Sequence, residues 1–81
     1  MYAAMNDLIA RAARNQYAVL AINCFNLESA RAAVKAAEEQ RAPLILNVYQ
    51  GHSRHFPPAV AVPLVQALAA NARVPIALAL D

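Results

Sequence analysis

Three uninterrupted apolar runs limit what this chain can fold into. Tyr17-Ala-Val-Leu-Ala-Ile leads to Asn23, Leu44-Ile-Leu leads to Asn47, and Val74-Pro-Ile-Ala-Leu-Ala-Leu leads to Asp81. Each is strand-length, and none alternates apolar with polar as a half-solvated strand does. Such runs suit strands covered on both faces, as parallel strands are. The expected strands are residues 17–23, 44–49 (opened by Pro43) and 74–80.

Helical patterns separate these runs. In residues 5–15, Met5, Leu8, Ile9, Ala12 and Ala13 fall on one face, with Asn6 as the expected N-cap and Asp7 near the positive end of the helix dipole. After the first run, Asn26 reads as an N-cap and Glu28 as a first-turn acid, opening a helix to about Arg41 whose buried stripe is Ala30, Ala33, Val34 and Ala37. Residues 52–58 read as a loop because Pro57 and Pro58 are adjacent. A third helix is expected from about Val60 or Ala61 to Ala72, with Pro63 in its first turn and Val65, Leu68, Ala69 and Ala72 on one face. The order α-β-α-β-α-β, with strand starts near 17, 43 and 74, predicts an α/β fold with right-handed crossovers and a parallel sheet. Residues 1–81 form one segment with no internal boundary, repeat or linker.

Composition makes a free-standing domain unexpected. Of 81 residues, 60% are of apolar type and 15% are charged, against about 25% in ordinary globular chains. Much of the apolar share is alanine, and a chain this short buries a smaller part of its surface than a long one. Its apolar faces are expected to need a further surface. Net charge is +2, with the basic residues scattered rather than blocked, so no nucleic-acid partner is expected. Asp7, Arg11 and Arg14 interrupt the apolar core a signal peptide requires, and the uncharged stretch 56–72 contains Pro57, Pro58 and Pro63, so no membrane partner is expected either. The single cysteine, Cys24, excludes an intrachain disulfide or a CxxC knuckle and fits a reducing cytoplasm. The single glycine excludes a G-x-G-x-x-G turn and a Walker loop.

Active sites of parallel α/β folds lie at the C-terminal ends of the strands. Those ends carry Asn23, Asn47 with Tyr49, and Asp81. A strand must end where polarity begins, so either asparagine alone says little. Asp81, after seven residues of apolar run, is expected to be poorly solvated and to have a partner or a task. His52 and His55 lack a third ligand nearby and read as a solvated loop rather than a metal pair. Cys24 reads as a buried structural thiol.

Tyr17-Ala-Val-Leu-Ala-Ile-Asn23-Cys24, Asn26-Leu-Glu28 opening an alanine-rich helix, Ala42-Pro43-Leu-Ile-Leu46, and Val74-Pro75-Ile-Ala-Leu-Ala-Leu-Asp81 together resemble the class II ketose-bisphosphate aldolases, the fructose- and tagatose-bisphosphate aldolases among them. The resemblance runs in register over nearly the whole chain. It implies a (β/α)₈ TIM barrel preceded by a short helix, of which this chain would supply strands one to three, an incomplete barrel. The family holds a divalent metal, usually zinc, on three histidines, the first directly after the strand-three aspartate. Asp81 matches that aspartate, and no metal ligand lies within these residues. Asn23 matches an asparagine lining the substrate site. Asn47-Val48-Tyr49 stands where the family commonly has Gln-x-Ser, so Tyr49 is a departure that would fill space beside the substrate.

The resemblance implies a fragment of a zinc-dependent carbon–carbon lyase of carbohydrate metabolism (glycolysis), inactive by itself. The whole would cleave a phosphorylated ketose to dihydroxyacetone phosphate and an aldehyde phosphate, as a cytoplasmic homo-oligomer. Asp81 would be the catalytic base toward the C4 hydroxyl, Asn23, Asn47 and Tyr49 would bind substrate, and the metal would act as Lewis acid. The alternative is a non-catalytic α/β module that assembles through exposed strand edges.

Overall fold

The computed structural model describes all 81 residues. The elements in chain order are α1 (Met5–Asn15), β1 (Leu20–Asn23), α2 (Leu27–Gln40), β2 (Leu44–Val48), a 3₁₀ turn (Gln50–His52), α3 (Pro58–Ala70) and β3 (Ile76–Leu80). The strands form one parallel sheet in the order β1-β2-β3. Leu20 pairs with Leu44 and Leu44 with Ile76, and the same offset carries Asn23 to Asn47 and Asn47 to Ala79. The α/β class and parallel sheet expected from the three runs are therefore observed, and the sheet is open.

Side chains alternate across a strand, and the two faces of this sheet are covered differently. Leu44, Leu46, Val48 and Ile76 pack against Ala30, Ala33, Val34 and Ala37 of α2 and Ala61, Val65 and Ala69 of α3. The alanine stripe of α2 is the one the sequence predicts. The opposite, inner face carries Ile45 and Ala77, which pack on Leu8 of α1 beside Ala3, Val19 and Ala79. α1 thus closes the inner face at the N-terminal half of the strands and leaves the C-terminal half open.

Several boundaries differ from the expected ones, each for a physical reason. α1 is entered from Ala4, not capped by Asn6. Tyr2 bridges to Ile76, the Ile76 N–H donates to the Met1 carbonyl (2.8 Å) and the Ala3 N–H to the Ile76 carbonyl (2.9 Å), so pairing along β3 fixes where the chain turns into the helix. β1 begins at Leu20, not residue 17, because Gln16 takes a left-handed conformation (φ 56°) to end α1 and the Tyr17 N–H still bonds back to Ala12. With no glycine at either place, Gln16 and Arg41 (φ 53°) close α1 and α2 in a backbone region that costs a side-chain-bearing residue about 1–2 kcal/mol.

α3 begins at Pro58, two or three residues before its expected start. Pro57 is extended at the N-cap and Pro58 occupies the first turn, so the adjacent prolines start the helix rather than excluding it. Pro63 then lies inside the helix, not in its first turn, and leaves the Ala59 carbonyl without its helical donor. At α2 the Asn26 cap is as expected. Its side chain accepts from the Ser29 N–H (2.8 Å) while the Ser29 hydroxyl accepts from the Asn26 N–H (3.2 Å).

β1 is not buried on both faces. Leu20 is 64% exposed, and an apolar groove beside it is lined by Ile22, Ala33, Ala37, Pro43 and Leu44. Leu80 at the far strand is 56% exposed. Apolar strands whose outer edges have unsatisfied N–H and C=O groups template further pairing. Residues 1–81 alone are accordingly expected to self-associate: sedimentation velocity at rising concentration should give increasing mass. A concentration-independent monomer with a single cooperative thermal transition would contradict this and favour the self-sufficient α/β module.

Candidate active site

The period-two alternation that buries Ile45 and Ala77 continues toward the C-terminal ends of the strands. It assigns Asn23, Asn47, Ala79 and then Tyr49 and Asp81 to the same inner face. Tyr49 is extended (φ −79°, ψ 136°), so it keeps the alternation. The ladder also runs on past the strands. The Cys24 N–H donates to the Asn47 carbonyl (2.9 Å), the Asp81 N–H to the Val48 carbonyl (2.9 Å), and the Gln50 N–H to the Asp81 carbonyl (2.8 Å). Tyr49 and Asp81 therefore stand level on neighbouring chains. Asn23 and Asn47 lie one side-chain layer below them, about 6.6 Å along the strands.

Asn47 Nδ2 donates to Asn23 Oδ1 at 2.7 Å. That bond fixes both amides and leaves the Asn23 NH₂ group, one Asn47 N–H and the Asn47 Oδ1 for a ligand. Such a pair offers donors and an acceptor side by side, which matches vicinal hydroxyls. The rest of the inner face is Val19, Ala21, Ile45, Ala77, Ala79 and Tyr49 with one carboxylate, Asp81. No cation is on it, so this part of the surface suits the uncharged, hydroxylated carbons of a ligand better than an anionic group. Asp81, at the end of β3, is exposed among these residues.

The rim beside these residues is aromatic. His52 lies 5.7 Å from Phe25 (rings tilted by 56°), 5.7 Å from Tyr49 (edge-on, 81°) and 5.6 Å from His55, measured between ring centroids. His52 Nδ1 is enclosed and makes no hydrogen bond. The expected solvated loop is thus half right: His55 is exposed, while His52 is the hub of a ring cluster that joins the ends of β1 and β2. The sequence signal for it is the row of rings at positions 25, 49, 52 and 55, but nothing in their spacing says that residues 25 and 52 meet.

No three His, Cys, Asp or Glu side chains converge in the chain. The two histidines present do not make the three-ligand set that zinc takes in a catalytic site. The residues here therefore do not fit a metal centre of their own. No helix is long and apolar enough to cross a membrane.

Cys24 is fully buried, as the sequence suggests, and burial pushes its thiol above the ordinary value. Because the folded value is the higher, its contribution to stability is complete below the unfolded thiol's range and is lost as pH rises through the folded one. At pH 8 iodoacetamide should modify Cys24 at least about tenfold more slowly in the native chain than in denaturant. Equal rates would contradict its burial.

Comparisons with known proteins bear on these residues as a set. Residues 3–81 match the family model described as "Fructose-bisphosphate aldolase class-II". The fructose-bisphosphate aldolase of Thermus caldophilus is 37% identical over 75 residues, which cover 93% of this chain and 24% of that protein. Those of Geobacillus stearothermophilus (40%) and Staphylococcus aureus (38%) align over 52 residues, 64% of this chain and 18% of theirs. The chain spans about a quarter or less of the length of these relatives.

Proposed function

Because this chain belongs to the class II fructose-bisphosphate aldolase family, whose members are metal-dependent and act on phosphorylated sugars, we propose that residues 1–81 supply the first three strand–helix units of a (β/α)₈ barrel that cleaves a ketose bisphosphate. In this reading the products are dihydroxyacetone phosphate and an aldehyde phosphate, and the three units alone are inactive. The observation that carries it is the shared inner face of Asn23, Asn47 and Asp81 at the C-terminal ends of parallel strands, where barrel enzymes keep their chemistry.

The donor and acceptor left by the Asn23–Asn47 bond would hold hydroxyls of the sugar's middle carbons. The Asp81 carboxylate would take the proton of the C4 hydroxyl. As that proton leaves, the O–C4 bond becomes a carbonyl, the C3–C4 bond breaks, and its electron pair stays with C3, which would take up a proton from a donor outside these residues to give dihydroxyacetone phosphate. In the condensation direction the same proton returns from Asp81. Zinc remains an implication of the resemblance. Its ligands would come from outside these residues, and no step here is drawn through it. A cytoplasmic location and a homo-oligomeric whole are likewise part of the proposal.

The alternative, a non-catalytic module that assembles through its strand edges, is favoured only by the exposure of Leu20 and Leu80. Kinetics separate the two. Residues 1–81 alone should cleave no ketose bisphosphate above a chelated control. In the complete barrel that carries them, Asp81→Asn should lower kcat by about 10²- to 10⁴-fold with metal content unchanged. Asn23→Ala should raise KM as well as lower kcat, as loss of a positioning contact does. Near-normal turnover by Asp81→Asn would refute the catalytic role. Loss of metal and fold together would make Asp81 structural.

A further inference from the structure

Tyr49 is the one inner-face side chain at the rim that is both large and polar, and two contacts place its ring. A Cβ on Gly51 would meet the ring directly, with Tyr49 Cδ2 at 2.8 Å, so the ring lies over the backbone of residue 51 and only glycine leaves it that room. His52 presents to it edge-on at 5.7 Å, a favourable geometry for two rings. Gln50, next in the chain, donates its N–H to the Asp81 carbonyl, which ties the turn that carries the brace to the end of β3.

The braced ring is still 48% exposed. Its Cα stands level with that of Asp81 on the adjacent chain, about 4.8 Å away in a parallel ladder. A phenol hydroxyl can donate or accept one hydrogen bond without carrying charge. Gly51 and His52 lie against the ring, and the other inner-face residues, an asparagine pair and alanines, hold no charge other than Asp81.

We propose that Tyr49 is a specificity-determining residue of this site, its phenol reading the configuration of the same hydroxyl-bearing carbon on which Asp81 acts. This rests on the proposed aldol reaction. If Asp81 addresses the C4 hydroxyl, a neutral donor–acceptor beside it favours one of the two C4 epimers, the fructose or the tagatose bisphosphate. In one epimer the hydroxyl meets both Asp81 and Tyr49; in the other it meets one of them only. Gly51 and His52 are positioning residues, because they act through the ring.

The experiment is steady-state kinetics of the complete barrel on D-fructose 1,6-bisphosphate and D-tagatose 1,6-bisphosphate. Tyr49→Phe keeps the ring and its packing and removes only the hydroxyl. It should change the ratio of the two kcat/KM values by about five- to tenfold, the range of one neutral hydrogen bond, with the melting temperature unchanged. Gly51→Ala, which displaces an intact tyrosine, should change the ratio in the same direction. A purely structural role would lower both substrates alike and leave their ratio fixed, and a ratio within twofold of wild type in Tyr49→Phe overturns the inference. Asp81→Asn, run in parallel, separates the failures. If it lowers kcat by about 10²- to 10⁴-fold while the Tyr49→Phe ratio stays fixed, only the role of Tyr49 is wrong. If it does not, or if the wild-type barrel cleaves neither sugar, the reaction itself is wrong and the inference falls with it.

Discussion

The structure depends on β2 being paired on both sides, in parallel and without offset. Its partners Leu20 and Ile76 both sit opposite Leu44. From that register, alternation alone decides which side chains enter the helix-covered core and which face the other way. Leu44, Leu46 and Val48 go to the core, while Ile45, Asn47 and Tyr49 do not. A slip of one residue would bury Asn47 among α2 and α3 and expel Leu46, which is fully buried. Burial of Leu46 contributes about 1.5–3 kcal/mol, and burying an unpaired amide in its place would cost a similar amount again. The hydrophobic pattern of one five-residue strand thus also holds the polar residues of the inner face in line.

Packing and exposed polar groups divide along the strand axis. At the N-terminal half, α1 seats Leu8 on Ile45 and Ala77, and residues 1–3 pair along β3. At the C-terminal half the inner face is open, and there the asparagine pair, Tyr49 and Asp81 gather. The alanine stripes of α2 and α3 serve the same division, because small side chains let the helices approach the sheet closely. The cost is at the edges, where Leu20 and Leu80 remain exposed because no neighbouring strand covers them.

Much of the fold was legible in the sequence, since periodicity and capping are local. The three strands, the α2 stripe and the Asn26 cap follow from residues within one turn or one strand of each other. What was not legible depends on distant partners. Asn6 reads as a cap, but the pairing of Tyr2 with Ile76 moves the helix start to Met5. By sequence Pro63 fits the first-turn tolerance for proline, but Pro58 is the residue that uses it. In the site, Asn23, Asn47 and Asp81 could be grouped from strand ends alone. The 2.7 Å bond between the amides, the Phe25–His52–Tyr49 contacts and the fit of Tyr49 over Gly51 could not, because each joins segments whose approach only the folded chain defines.

In the proposed reaction, one inner face of a parallel sheet gathers Asn23, Asn47 and Asp81 around a single sugar. A crystal structure of the complete barrel with a ketose bisphosphate bound tests it most directly. The Asp81 carboxylate and the Asn23 amide should lie within about 3.2 Å of oxygens on the same ligand molecule, with its uncharged carbons over the asparagine pair. A ligand bound elsewhere, with Asp81 facing solvent and the Asn23–Asn47 pair untouched, would contradict it.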